Sequence, residues 1–136
     1  MLRYGLLLLI LAFTACSNEK KNTAPEVEED NSVFNYEAFS TLFKETSLPY
    51  QLTDSGLLDN EDTVSIRNEV FASYINDSLK TKLVGKTSKV KYLPLAHLKQ
   101  GNKEQYFVIK AMGGNKSSAL LAVFDKDKNF VNAFPF

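Results

Sequence analysis

Four short runs in the second half of the chain leave few choices of fold. Residues 90–95, 106–109, 119–124 and 130–134 are rich in β-branched, aliphatic and aromatic residues, and turn-forming residues separate them. The separators are Lys99 to Lys103 with Gly101-Asn102, then Gly113-Gly114-Asn115, then Asp125 to Asn129. They are too short for crossover helices, so consecutive runs are expected to pair antiparallel as a meander. Pro94 cannot donate to a ladder and predicts an edge or a bulge in the first strand.

The first half follows a helical grammar. Asn35 is placed as an N-cap, with Phe34 and Phe39 as the hydrophobic staple around it. Phe39, Leu42 and Phe43 share one face, and Pro49 stops the helix near Glu45 to Ser47. The stretch Leu48 to Leu58 reads two ways, as the start of a strand at Pro49-Tyr50-Gln51-Leu52 or as turn chemistry at Asp54-Ser55-Gly56. A second helix is predicted from about Thr63 to Asn76, because Ile66, Val70 and Tyr74 recur at four-residue spacing beside Phe71 and Ile75. Asp59, Glu61 and Asp62 lie before or in its first turn, where the helix dipole favours negative charge; a metal site from these carboxylates is the competing reading. The fold class is therefore α+β, with two N-terminal helices packed on a C-terminal antiparallel β-meander. Phe39, Phe43, Val70, Tyr74, Phe107, Ile109, Leu121 and Val123 are expected to be buried together.

The first sixteen residues are not part of that domain. Arg3 precedes an apolar run from Gly5 to Phe13, and small residues lead to Cys16, which is a secretory layout. The run is shorter than the roughly 20 residues that a membrane-spanning helix needs. Phe13-Thr14-Ala15-Cys16 resembles the lipobox of bacterial lipoproteins, with Phe13 where the usual form has Leu. That resemblance implies cleavage before Cys16 and a diacylglyceryl-modified Cys16 as a palmitate-type membrane anchor; an ordinary signal peptide ending near a Cys is the alternative. Ser17, where inner-membrane lipoproteins of enteric-type bacteria often carry Asp, leans to the outer membrane.

Residues 17–33 are polar and acidic, with Glu26, Glu28, Glu29 and Asp30 close together, and read as a disordered tether. The organisation is then a signal peptide at 1–15, a lipidated Cys and tether at 16–33, and one α+β domain at 34–136. One Cys allows no internal disulfide, so this domain must rest on its apolar core. The whole layout resembles small cell-envelope lipoproteins of Bacteroidetes-type bacteria, and this likeness of style implies no activity and no functional residues. Ending at Phe134-Pro135-Phe136, the chain either closes its sheet with this strand or is the N-terminal part of something longer.

Charge divides along the same line as structure. The formal net charge is zero, which removes a whole-protein attraction to nucleic acid. Residues 34–77 nevertheless carry eight acids against Lys44 and Arg67, and residues 78–116 carry nine lysines against Glu104. The bland reading is that lysines guard edges and solvate a sheet face, or that the halves offset each other. The functional reading is a basic surface including Lys86, Lys89 and Lys91 for an anionic envelope glycan, lipopolysaccharide or protein.

Motifs that carry chemistry do not assemble. His97 is the only histidine and reads as a structural strand-end residue. Gly113-Gly114-Asn115-Lys116-Ser117 lacks the Gly before Lys of a phosphate loop and reads as a hairpin turn. Asp125-Lys126-Asp127-Lys128-Asn129 begins like a calcium loop but has Phe130 where Gly is needed and Phe136 where the bidentate Glu belongs, so it too is a turn. No catalytic residue, metal ligand or cofactor is assigned. Three functions stay open: a non-enzymatic binding or scaffolding lipoprotein, a hydrolase joining Asp59 and Asp62 to His97, and an inhibitor or protective protein that inserts the 113–117 loop into a target. The first of these makes a direct demand on the mature protein. Mass spectrometry should find a lipid-modified N-terminal Cys16, and Cys16→Ala should leave the precursor unlipidated; a wild-type product with an unmodified N-terminus would refute the anchor.

Overall fold

A computed structural model describes residues 33–58, 64–101 and 103–136, so Cys16, most of the tether, and Asp59, Glu61 and Asp62 lie outside the described residues. In chain order the elements are α1 (Tyr36–Thr41), β1 (Glu45–Thr46), α2 (Asp54–Leu58), α3 (Glu69–Tyr74), α4 (Asp77–Val84), β2 (Lys91–Gln100), β3 (Glu104–Gly113), β4 (Lys116–Asp125) and β5 (Phe130–Pro135). The fold is α+β, an open five-stranded sheet in the order β1-β2-β3-β4-β5 with short helices. No helix among the described residues is long and apolar enough to cross a membrane.

The turn residues set the meander. β2, β3, β4 and β5 pair antiparallel in sequence, and reversal at Gly114, whose φ is +57°, joins Gly113 to Lys116 in register. A register shift between Pro94 and Ala96 marks the bulge that Pro94 predicts. The sheet is mixed, however, not purely antiparallel. β1 adds itself parallel to β2, with the His97 amide donating to the Lys44 carbonyl at 2.9 Å. A two-residue strand has no periodicity to read, so the sequence leaves it hidden.

The helical half also differs from expectation, with three short helices in place of two longer ones and a fourth, α4, beyond it. Asn35 caps α1 by accepting from the Ala38 amide at 3.1 Å, but α1 ends at Thr41 and frees Phe43 to turn inward and residues 45–46 to join the sheet. The helix expected over 63–76 begins only at Glu69. Ile66 is held by its own amide bond to the Tyr92 carbonyl, and Asn68 caps α3 instead. A third asparagine, Asn76, starts α4 inside the half expected to be strands. Each asparagine side chain accepts the orphan amide of the residue three further on, which is why these short helices have defined starts.

Both faces of the sheet are covered, and they carry separate apolar clusters. Phe107, Ile109, Ala111, Leu120, Ala122 and Phe124 meet Phe39, Phe43, Phe71 and Ile75 from the helices. Val108, Leu98 and Ala96 meet Tyr50 and Leu52 on the other side, with Leu121 and Tyr106 at the margin. Leu121 and Val123 therefore do not join the aromatic core as expected, because β4 turns Leu120, Ala122 and Phe124 to the helices. Val70 is only partly buried, and Tyr74 packs at the rim of the core. Phe107 is fully buried at the centre, so Phe107→Ala should cost about 3–5 kcal/mol. Leu121→Ala, at a partly exposed position, should cost clearly less when both are compared by urea unfolding.

Candidate functional site

The lysine-rich surface is the candidate binding surface of the domain, and the fold sorts its nine lysines into different fates. Lys80 pairs with Asp77 at 3.1 Å on α4, and Lys99 pairs with Glu45 across β1 and β2 at 2.5 Å. Lys110 is 1% exposed, set in β3 between Leu93 and Ala119, so it belongs to the interior. Lys103 sits in the β2–β3 turn at the far end of the sheet. Five remain: Lys82, Lys86, Lys89, Lys91 and Lys116, all exposed.

These five converge on one end of the sheet. Lys91 opens β2, and Lys116 opens β4 directly after the β3–β4 turn, so antiparallel pairing puts both at the same pole. α4 delivers the others. The Ser118 hydroxyl donates to the Leu83 carbonyl at 2.6 Å and ties the last turn of α4 to β4. Gly85 ends the helix with φ +79°, donating its amide to the Thr81 carbonyl at 2.9 Å, and the chain then crosses Gly113 on its way to β2. The crossing is close: a Cβ on Gly113 would lie 2.7 Å from Thr87 Cγ2 and 3.0 Å from Val84 Cβ. Gly113 therefore has to be glycine for Lys86 and Lys89 to reach this end.

Sequence reasoning named Lys86, Lys89 and Lys91, and the fold places all three here. It missed Lys82 and Lys116, whose positions depend on the α4–β4 tie and on strand register. It also assigned Arg67 to the acidic half. Ile66 bridges to Tyr92, which places the exposed Arg67 beside the Lys91 end of β2. No ion pair joins these six cations to an acid among the described residues, whereas Lys126 and Lys128 at the opposite pole are paired with Asp127 and Glu37.

The other candidates are absorbed by structure. His97 lies within β2 and not at a strand end; its ring stacks on Phe107 at 4.3 Å, and its Nε2 meets the Gln105 carboxamide oxygen at 2.8 Å. The Asp125–Asn129 segment is a closed turn. Asp125 accepts from the Asn129 amide at 2.9 Å, the Asp127 amide at 2.8 Å and the Asn129 carboxamide at 3.3 Å, and these bonds, the Asn129 amide foremost, hold its carboxyl below the usual range. Tyr92 is buried with no hydrogen-bond partner for its hydroxyl among the described residues, and burial pushes its pKa up to about 12. Among the described residues no group of three His, Cys, Asp or Glu side chains could hold a metal ion.

Comparison with family models, with curated proteins and with solved structures gives no match for this chain. The site is argued on its own geometry. Its dependence on Gly113 is open to measurement: Gly113→Ala forces Val84 and Thr87 aside and should cost about 1–3 kcal/mol by urea unfolding. Amide hydrogen exchange of residues 84–89 should rise in the same variant.

Proposed function

We propose that this chain is a lipid-anchored bacterial envelope protein, directed to the outer membrane by the Ser17 that follows Cys16, whose domain is a non-enzymatic binding or scaffolding module. Its binding surface is the lysine pole, and its ligand is an anionic component of the envelope. The observation that carries the reading is the gathering of Lys82, Lys86, Lys89, Lys91 and Lys116 without acid partners among the described residues. Solvation alone needs charge spread over a surface, whereas here lysines from residues 82–91 and from the start of β4 concentrate at one end.

Two alternatives draw less support. The hydrolase reading relies on His97, which is buried against Phe107 and bonded to Gln105, so it presents no general base to solvent. The inhibitor reading needs a projecting loop, and Gly114-Asn115 is a two-residue turn whose Gly113 stem is pressed under Val84 and Thr87.

The test is capture of the full-length lipidated protein with its ligand from native envelope, followed by binding measurements. Each lysine beside an anionic surface contributes about 1 kcal/mol, so replacing Lys86, Lys89 and Lys91 with Gln should weaken binding about a hundred-fold. Stability should hardly change, because exposed substitutions usually cost under about 0.5 kcal/mol each. Affinity should also fall steeply with salt; an affinity indifferent to both salt and the triple substitution would leave the lysines as a solvated end.

A further inference from the structure

We infer, independently of the lysine pole, that β5 is a closed edge: Asn132 and Pro135 take away the two backbone donors with which a second copy of this chain would add its own β5 to the sheet. β5 is an outer strand of the open sheet, and residues 129–136 carry no charged side chain. Val131, Phe134 and Phe136 are exposed along it. The strand is firmly held, because the Phe130 ring stacks on Tyr74 at 4.5 Å and the Phe136 ring lies 6.2 Å from Tyr50. A fixed, uncharged, apolar edge is a template on which another strand pairs. A second copy fits it best, since its β5 carries the same apolar residues and a two-fold axis would set the two edges antiparallel.

Register shows which backbone groups face outward. The Phe136 amide donates to the Ala119 carbonyl at 2.9 Å, and Pro135, Phe134, Ala133 and Asn132 lie opposite Leu120, Leu121, Ala122 and Val123. Antiparallel pairs alternate between bonded and non-bonded, so Phe134 and Asn132 turn to β4 as Phe136 does, and Ala133 and Pro135 turn outward. Proline has no amide to offer. The Ala133 amide is already engaged, donating to Asn132 Oδ1 at 2.8 Å. These described residues, 133 to 135, therefore keep outward carbonyls and have no free outward amide. An added antiparallel strand needs both, because each bonded pair exchanges two hydrogen bonds. A register shift at Val131, between the pairs of Val123 and Phe124, interrupts the row further.

The opposite edge is protected by other means. β1 has only two residues, and the ion pair of Glu45 with Lys99 lies across it. Short, charged edges resist strand addition. With both edges closed, the domain stays a single copy.

The experiment uses the full-length protein in mild detergent, with its mass read by sedimentation at matched solvent density. Wild type should sediment as a monomer at micromolar concentration. Asn132→Val combined with Pro135→Val restores both donors and should shift most of the protein to dimer, with a cooperative urea transition showing that the domain is still folded. Hydrogen exchange reads the closing contact directly. Relative to its intrinsic rate, the Ala133 amide should exchange several-fold more slowly in wild type than in monomeric Asn132→Val. A dimeric wild type, a double variant that is folded and monomeric, or equal exchange at Ala133 in the two proteins would each overturn the inference. If the double variant does not fold, exchange at Ala133 decides, since it needs only the single variant.

Discussion

The packing of Phe39 on Phe107 is the contact on which the rest of this structure depends. Their rings lie 5.0 Å apart edge to face, and Phe43, Phe71 and Phe124 close around them at 4.8 to 5.5 Å. The helices that supply Phe39 and Phe71 have six residues each, far below the length at which an isolated helix is stable in water. They exist because docking their aromatic side chains on the sheet removes large apolar areas from water. One Cys allows no internal disulfide, so this aromatic layer has no covalent staple to share its work.

A second, smaller set of contacts shapes the surface. The Ser118 hydroxyl on the Leu83 carbonyl and the bare backbone of Gly113 under Val84 and Thr87 bring the end of α4 down on the start of β4. The negative end of the helix dipole and the cationic side chains of Lys82 and Lys86 then lie together, a local attraction that offsets part of the repulsion among the lysines. The cost of concentrating like charge is thus met within the fold, and the outward ends of the side chains remain in solvent.

Interior chemistry decides which charges take part. Lys110 and His97 look like surface residues by type, yet β3 and β2 are the central strands of a sheet covered on both faces, and both side chains are buried there. Alternation distinguishes inside from outside only where one face is wet. For β4, apolar on both faces, it could not say whether Leu121 or Leu120 meets the helices.

By itself the sequence determined the strand-turn-strand order of residues 90–134, the cap at Asn35 and the division of charge between the halves, because turn chemistry, capping and charge are local properties. The caps at Asn68 and Asn76 carried the same local signal, hidden beneath the longer periodicity of Ile66, Val70 and Tyr74. Only the tertiary structure decided that residues 45–46 pair parallel with β2, that Leu120 faces inward, and that Lys110 leaves the exposed set while Lys82 and Lys116 join it. Those outcomes depend on register and on contacts between residues far apart in the chain, such as Ser118 with Leu83, and a local pattern does not encode which distant backbone it will meet.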